Sequence, residues 1–271
     1  MPENQGTVPS GEVNWDRYNL AVAMRDSGHV AEALDEIRKL THFASDPNEK
    51  ATLLANEVVC LRLMGRFEEA WGALKQAYPL VPECSPTYVF LGFHESRLLF
   101  DQLRGEEALR RVEGLLSHCA DTLQELEAKD TYENLQSLRG ILLVQLNRSA
   151  EARPILEAAA SYEPAWDWVS YSLGLCYLDL GQLDEAKRRF REALDLGVSG
   201  ALELRTHYRL GIIYFEQESH GWARQEFETC LSLKEERDPS RRNIYEWLAA
   251  TCHALGQYDE AAKYSKLANQ G

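Results

Sequence analysis

The side chains that could do chemistry are scattered along this chain rather than gathered. Seven histidines (His29, His42, His94, His118, His207, His220 and His253) show no HxxxH or other ligand spacing, so no zinc site is expected. There is no GxSxG to present a nucleophilic serine, and the glycines are spaced one to a turn rather than as a phosphate-cradling loop. Acidic pairs are abundant: Glu68 with Glu69, Glu106 with Glu107, Asp184 with Glu185, Asp259 with Glu260. Each falls where a helix should begin, and negative charge is favoured at that end of the helix dipole. The six cysteines, Cys60, Cys84, Cys119, Cys176, Cys230 and Cys252, include no CxxC pair. That pattern predicts reduced thiols packed as small hydrophobes. The "NRS" at Asn147 is a formal glycosylation sequon, without meaning in a cytosolic protein. These residues predict no enzyme, no metal and no cofactor.

Bulk properties narrow the class further. The chain has 271 residues, with 29 lysines and arginines against 43 aspartates and glutamates, for a net charge of -14. A nucleic-acid partner is not expected, because that surface needs a clustered positive field. The basic clusters "KRRFR" (Lys187 to Arg191) and "RDPSRR" (Arg237 to Arg242) are each broken by acids within a few residues and read as solvated helix faces and turns. The opening residues, with no basic stretch followed by an apolar run, do not read as a signal peptide, and no apolar run of about 18 residues is present to span a membrane. A cytoplasmic location is expected, with a flexible lead over residues 1–13.

The elements that position these residues repeat. An alanine recurs at Ala33, Ala70, Ala108, Ala152, Ala186, Ala223 and Ala261, at intervals of 37, 38, 44, 34, 37 and 38, with an apolar residue four positions later in all but the seventh copy, which has Ser265 there. About thirteen residues earlier, most copies carry a second small residue beside bulky ones, as in "LGLCY" (Leu173, Gly174, Tyr177) and "LGIIY" (Leu210, Gly211, Tyr214). Apolar spacing of three and four in each half predicts two amphipathic helices. Between the halves stands a glycine, Gly28, Gly65, Gly181 or Gly256, able to end the first helix at positive φ. Two helices joined so tightly pack only where small side chains on one admit large ones on the other.

The pattern resembles the tetratricopeptide repeat, a helix-turn-helix unit of about 34 residues with a W-x2-L-G-x2-Y, A-x3-F and terminal P signature. The fifth copy has Leu173, Gly174, Tyr177, Gly181, Ala186, Phe190 and Ala193 in the family's places, and the fourth ends on Pro164. Seven copies in series cover residues 14–270. The resemblance implies an all-α, right-handed α-solenoid forming a single domain. The family's tryptophan is missing from its usual place, although Trp15 and Trp168 lie two positions earlier. The third copy is enlarged: its first helix is expected to be a turn longer, and apolar spacing through Leu116, Cys119, Leu123 and Leu126 predicts an overrunning second helix.

By the same resemblance, the first helices of the pairs build a concave face. Its candidates are Trp15, Tyr18, Arg25, Arg62, Phe93 and Arg97 in the first three copies. Ile141, Trp168, Tyr171, Leu175, Leu178, Tyr208, Ile212 and Phe215 follow in the next three. Arginines beside aromatic and aliphatic residues would suit a protein or peptide ligand with apolar anchors and carboxylates. The lysine and asparagine clamp by which some family members hold chaperone tails is absent, its places being taken by Tyr18, Val22, Ala55 and Val59. The expected function is therefore an interaction module, as adaptor, scaffold or chaperone-like factor. Self-association into a homo-oligomer and peptide-sensing regulation are the alternatives. The small-to-large packing carries its own test: Ala186→Leu should overpack the fifth hairpin and lower stability by about 1–3 kcal/mol in chemical denaturation.

Overall fold

The computed structural model describes residues 13–125, 128–162, 166–234 and 241–270. The lead expected over residues 1–13 lies outside these apart from Val13, as do Leu126, Pro164 and Arg237. The chain divides into two compact units, one ending at Leu146 and one beginning at Asn147. The first contains α1 (Trp15–Asp26), α2 (Val30–Phe43), α3 (Pro47–Leu63), α4 (Phe67–Ala77), α5 (Pro86–Asp101), α6 (Gly105–His118), α7 (Ala120–Leu123) and α8 (Lys129–Gln145). The second contains α9 (Ser149–Ala159), α10 (Asp167–Asp179), α11 (Leu183–Asp195), α12 (Gly200–Glu216), α13 (His220–Ser232), α14 (Arg241–Ala254) and α15 (Tyr258–Ala268). No strand occurs among the described residues.

Caps and turns explain the boundaries. In the first unit the leading helix of each hairpin has a side-chain N-cap: the side chains of Asn14, Asp46 and Ser85 accept from the backbone N–H of Arg17, Glu49 and Tyr88. Pro47 and Pro86 begin the second and third of these helices, where a missing N–H costs nothing. At the far end, Gly28, Gly65, Gly181 and Gly256 adopt φ of 92°, 70°, 71° and 74°. Leu103, Asn147 and Glu218 take the same left-handed conformation in the third, fourth and sixth turns. Such a residue costs about 1–2 kcal/mol relative to glycine. The closing bonds are nevertheless kept, as Arg104 N–H to Leu99 C=O at 2.9 Å and Ser219 N–H to Tyr214 C=O at 2.8 Å match Gln182 N–H to Tyr177 C=O at 2.8 Å.

Hairpins form between α1 and α2, α3 and α4, and α5 and α6 in the first unit, and between α10 and α11, α12 and α13, and α14 and α15 in the second. The recurring alanines sit in the first turn of the trailing helices and of α9: Ala33, Ala70, Ala108, Ala152, Ala186 and Ala223 are completely buried. A Cβ on Gly174 would lie 2.6 Å from the Phe190 ring, and one on Gly211 would lie 2.6 Å from that of Phe227. In the third hairpin Gly92 faces Leu115 in the same manner. Buried packing of this kind is the chief source of stability in short helices that would not persist alone.

Two expectations require correction. Helix α5, with 16 residues, exceeds α1 and α10, with 12 and 13, but not α3 or α12, with 17 each, and the second helix α6 ends at His118 rather than overrunning. The enlargement falls after α6, where Cys119 leaves helical geometry and the chain resumes as the short α7. Nor are all six cysteines thiols, because Cys84 and Cys119 form a disulfide with their Cα atoms 5.0 Å apart. Cys84 lies just before α5 and Cys119 just after α6, so the antiparallel hairpin brings its two ends together despite a separation of 35 residues. The Thr122 hydroxyl also donates to the Cys84 carbonyl at 2.5 Å. Cys60, Cys176, Cys230 and Cys252 are buried free thiols, as expected. Burial pushes the Cys60 and Cys176 thiols up to about 11 and that of Cys230 to about 12. Reduction of the single bridge should lower stability by about 2–4 kcal/mol, seen as a lower urea midpoint in dithiothreitol for the native chain and no shift for Cys84→Ser.

Candidate functional site

In the first unit the predicted arginines are held by neighbouring hairpins. Arg25 on α1 donates to the Asn56 side chain on α3 at 3.0 Å and pairs with Asp26, and Arg62 on α3 pairs with Asp101 on α5 at 2.6 Å. Arg97 lies with its guanidinium 6.0 Å from the Phe93 ring centre. Phe93 and Ile141 are buried, Trp15 is exposed and edge-on to Tyr18, and Tyr18 packs on the cluster of Val13, Leu40, Ala44 and Leu53. Beneath the arginines His94 is buried with both ring nitrogens unpartnered, its ring edge-on to Phe90 and Phe93. Burial first, then the charges of Arg62, Arg97 and Arg25, push its pKa down to about 3, so it stays neutral.

In the second unit the predicted aromatics converge. Trp168 stands edge-on to Tyr171, whose ring meets Phe190 at 5.6 Å. Tyr208 meets Phe227 at 6.0 Å, and Trp247 on α14 stacks on Phe227 and donates its indole N–H to the Tyr208 hydroxyl at 2.9 Å. Phe215 touches Trp247 edge-on. Leu175, Leu178 and Ile212 are half-buried. Between α10, α12 and α14 this arrangement leaves a cavity of about 350 Å³ lined by Tyr171, Leu204, Arg205, Tyr208, Arg209, Asn243 and Ile244. Burial lifts the Tyr171 phenol above its ordinary pKa, opposed by the charges of Arg209 and Arg205 and a hydrogen bond with Arg209.

Sequence reasoning found Tyr171 and Tyr208 but missed Arg205, Arg209, Asn243 and Trp247. The available signal was the four-residue step from Arg205 to Arg209, which sets both on one side of α12. A larger cavity of about 830 Å³ opens in the first unit between α6, α7 and α8, where Leu116, Leu123, Tyr132 and Arg139 contribute to the wall. Its cation is already matched, Arg139 lying 3.3 Å from Glu113. The smaller cavity is the better candidate, because aromatic surface and unmatched positive charge meet there.

Tandem helical hairpins with a small-to-large seam define an α-helical repeat protein. Family models for the tetratricopeptide repeat match residues 143–198, 171–231 and, in two segments, 17–39 and 245–262. The matched segments of the chain are tetratricopeptide repeats. No curated protein matches it in sequence. Among solved structures, PilF of Pseudomonas aeruginosa is 16% identical with a TM-score of 0.63, over 80% of this chain and 90% of that one. A tetratricopeptide repeat protein of Parabacteroides merdae is 16% identical with a TM-score of 0.55, over 94% and 92%. MamA is 18% identical with a TM-score of 0.52, over 67% and 90%. These similarities show the fold. No helix among the described residues is long and apolar enough to cross a membrane.

The buried histidine makes a prediction about acid stability. A folded-state pKa of about 3 lies below the unfolded value of about 6.5. The neutral ring therefore contributes stability fully above about pH 6.5, and that contribution is lost as pH falls toward 3. Urea unfolding across this window should show a shallower pH slope for His94→Leu, the difference approaching about 1.4 kcal/mol per pH unit.

Proposed function

We propose that the chain binds a segment of a partner protein along the face of its leading helices, with the cavity between α10, α12 and α14 as the anchor point. Proteins of this repeat family are in general protein–protein interaction modules. The observation that carries the finer reading is the meeting of Tyr171, Tyr208, Leu204 and Ile244 with Arg205 and Arg209 in one small cavity. Tyrosine supplies a large contact area at low entropic cost, and arginine supplies forked donors. About 350 Å³ suits one or two side chains rather than a folded surface. An extended or helical segment seats a side chain there and lays the rest along Leu175, Leu178, Ile212 and Phe215. The role that follows is adaptor, scaffold or chaperone-like factor, without catalysis.

The test compares wild type with Tyr171→Ala/Tyr208→Ala in affinity capture from native lysate, the two proteins having matching circular dichroism. Loss of a partner only from the variant is expected. Equal capture by both would remove the cavity from the binding surface, and a mass that rises with concentration in sedimentation would favour self-association.

A further inference from the structure

We propose that the cavity between α10, α12 and α14 is an oxyanion site built for a doubly charged phosphoryl group, an inference that rests on the reading of this cavity as the partner's anchor point. The chain is rich in acid, with 43 carboxylates against 29 basic side chains. Most arginines elsewhere are matched at short range, among them Arg66 with Glu69, Arg104 with Glu107, Arg188 with Glu185, and Arg224 with both Glu228 and Glu260, while the exposed Arg110 and Arg191 have no carboxylate partner among the described residues. Arg205 and Arg209 depart from this pattern. Both line the same cavity, no acid is among its described lining residues, and neither has a carboxylate partner among the described residues. Four residues apart on α12, they also repel each other. A folded protein with spare carboxylates tolerates two such charges side by side where something else neutralises them.

The remaining donors suggest what that group is. Tyr208 receives the Trp247 indole N–H, which leaves its own hydroxyl proton to donate. Asn243 adds an amide at the rim. Two guanidinium forks, a phenol and an amide offer more donors, and more charge, than one carboxylate can satisfy. A carboxylate has two oxygens and a single charge, and would leave one arginine uncompensated. A phosphoryl monoester has three terminal oxygens and a charge of about −1.5 to −2 at pH 7, and arginine pairs with it in bidentate fashion. The tyrosine rings and Leu204 supply the apolar wall against which the carrier of that group would lie. The partner chemistry indicated is a peptide segment bearing a phosphorylated side chain.

Three small probes that share a ring and differ in head group separate the possibilities in calorimetric titration of the full chain: phenyl phosphate, benzoate and benzyl alcohol. Phenyl phosphate is expected to bind saturably at one site and at least tenfold more tightly than benzoate, with benzyl alcohol weaker still. Arg205→Gln/Arg209→Gln should weaken phenyl phosphate at least tenfold while its thermal midpoint holds or rises, since a repulsive pair is removed. Should the double variant fail to fold, Arg205→Gln alone, at an exposed position, carries the same comparison. Benzoate binding as tightly as phenyl phosphate would overturn the proposal, as would phenyl phosphate binding that is absent or indifferent to both arginines. A partner captured regardless of Tyr171 and Tyr208, with phenyl phosphate still bound at the arginines, would reject the anchor-point reading and leave the oxyanion site standing. Tyrosine-dependent capture without phenyl phosphate binding would do the reverse.

Discussion

In each of the best-formed hairpins the two helices approach closely because one has no side chain where the other carries a buried phenylalanine. Phe190 fills the space beside Gly174, and Phe227 fills that beside Gly211. A methyl group at either glycine would sit within 3 Å of ring carbons, distances that interior packing does not accommodate without a shift. The completely buried alanines one turn before each phenylalanine, Ala186 and Ala223, keep the rest of the interface equally thin. Because helices this short depend on tertiary burial rather than propensity, this contact sets the angle of the hairpin, and the hairpin sets which residues of the leading helix face outward.

The candidate site follows from that geometry. Tyr171 lies three residues before Gly174, and Tyr208 three before Gly211, so each stands nearly one turn from a close contact and touches the same buried phenylalanine. The rings that guard the cavity are thus held in place by the residues that close the hairpins. Trp247 extends the arrangement by stacking on Phe227 and bonding Tyr208, so the wall of the cavity is shared by three helices. Function and packing use the same aromatic residues from opposite sides.

Much of the fold was legible because it rests on local signals. The alanine interval marked the hairpin cores, the glycines marked four of the turns, and the paired acids marked the starts of second helices. What escaped notice depends on contacts between distant residues. Leu103 and Glu218 carry no compositional sign that they will adopt positive φ, and only their place in the repeat indicates it. Cys84 and Cys119 are separated by 35 residues, near the length of one repeat, and only a closed hairpin makes that separation a bond. The unmatched state of Arg205 and Arg209 was equally hidden. Whether a charge has a partner depends on which acids fold next to it, and this chain has acids almost everywhere.

The disulfide has a mechanical side as well. It joins the two ends of the third hairpin, so tension travelling along the backbone crosses from Cys84 to Cys119 and bypasses the chain between them. At about 3.3–3.6 Å per residue, that withholds roughly 120 Å of extended length. A protein stretched between two attachments would therefore give way elsewhere first, and α5 and α6 would keep their pairing while their neighbours were drawn out. Among the hairpins of the first unit, the third is the one built to survive being pulled.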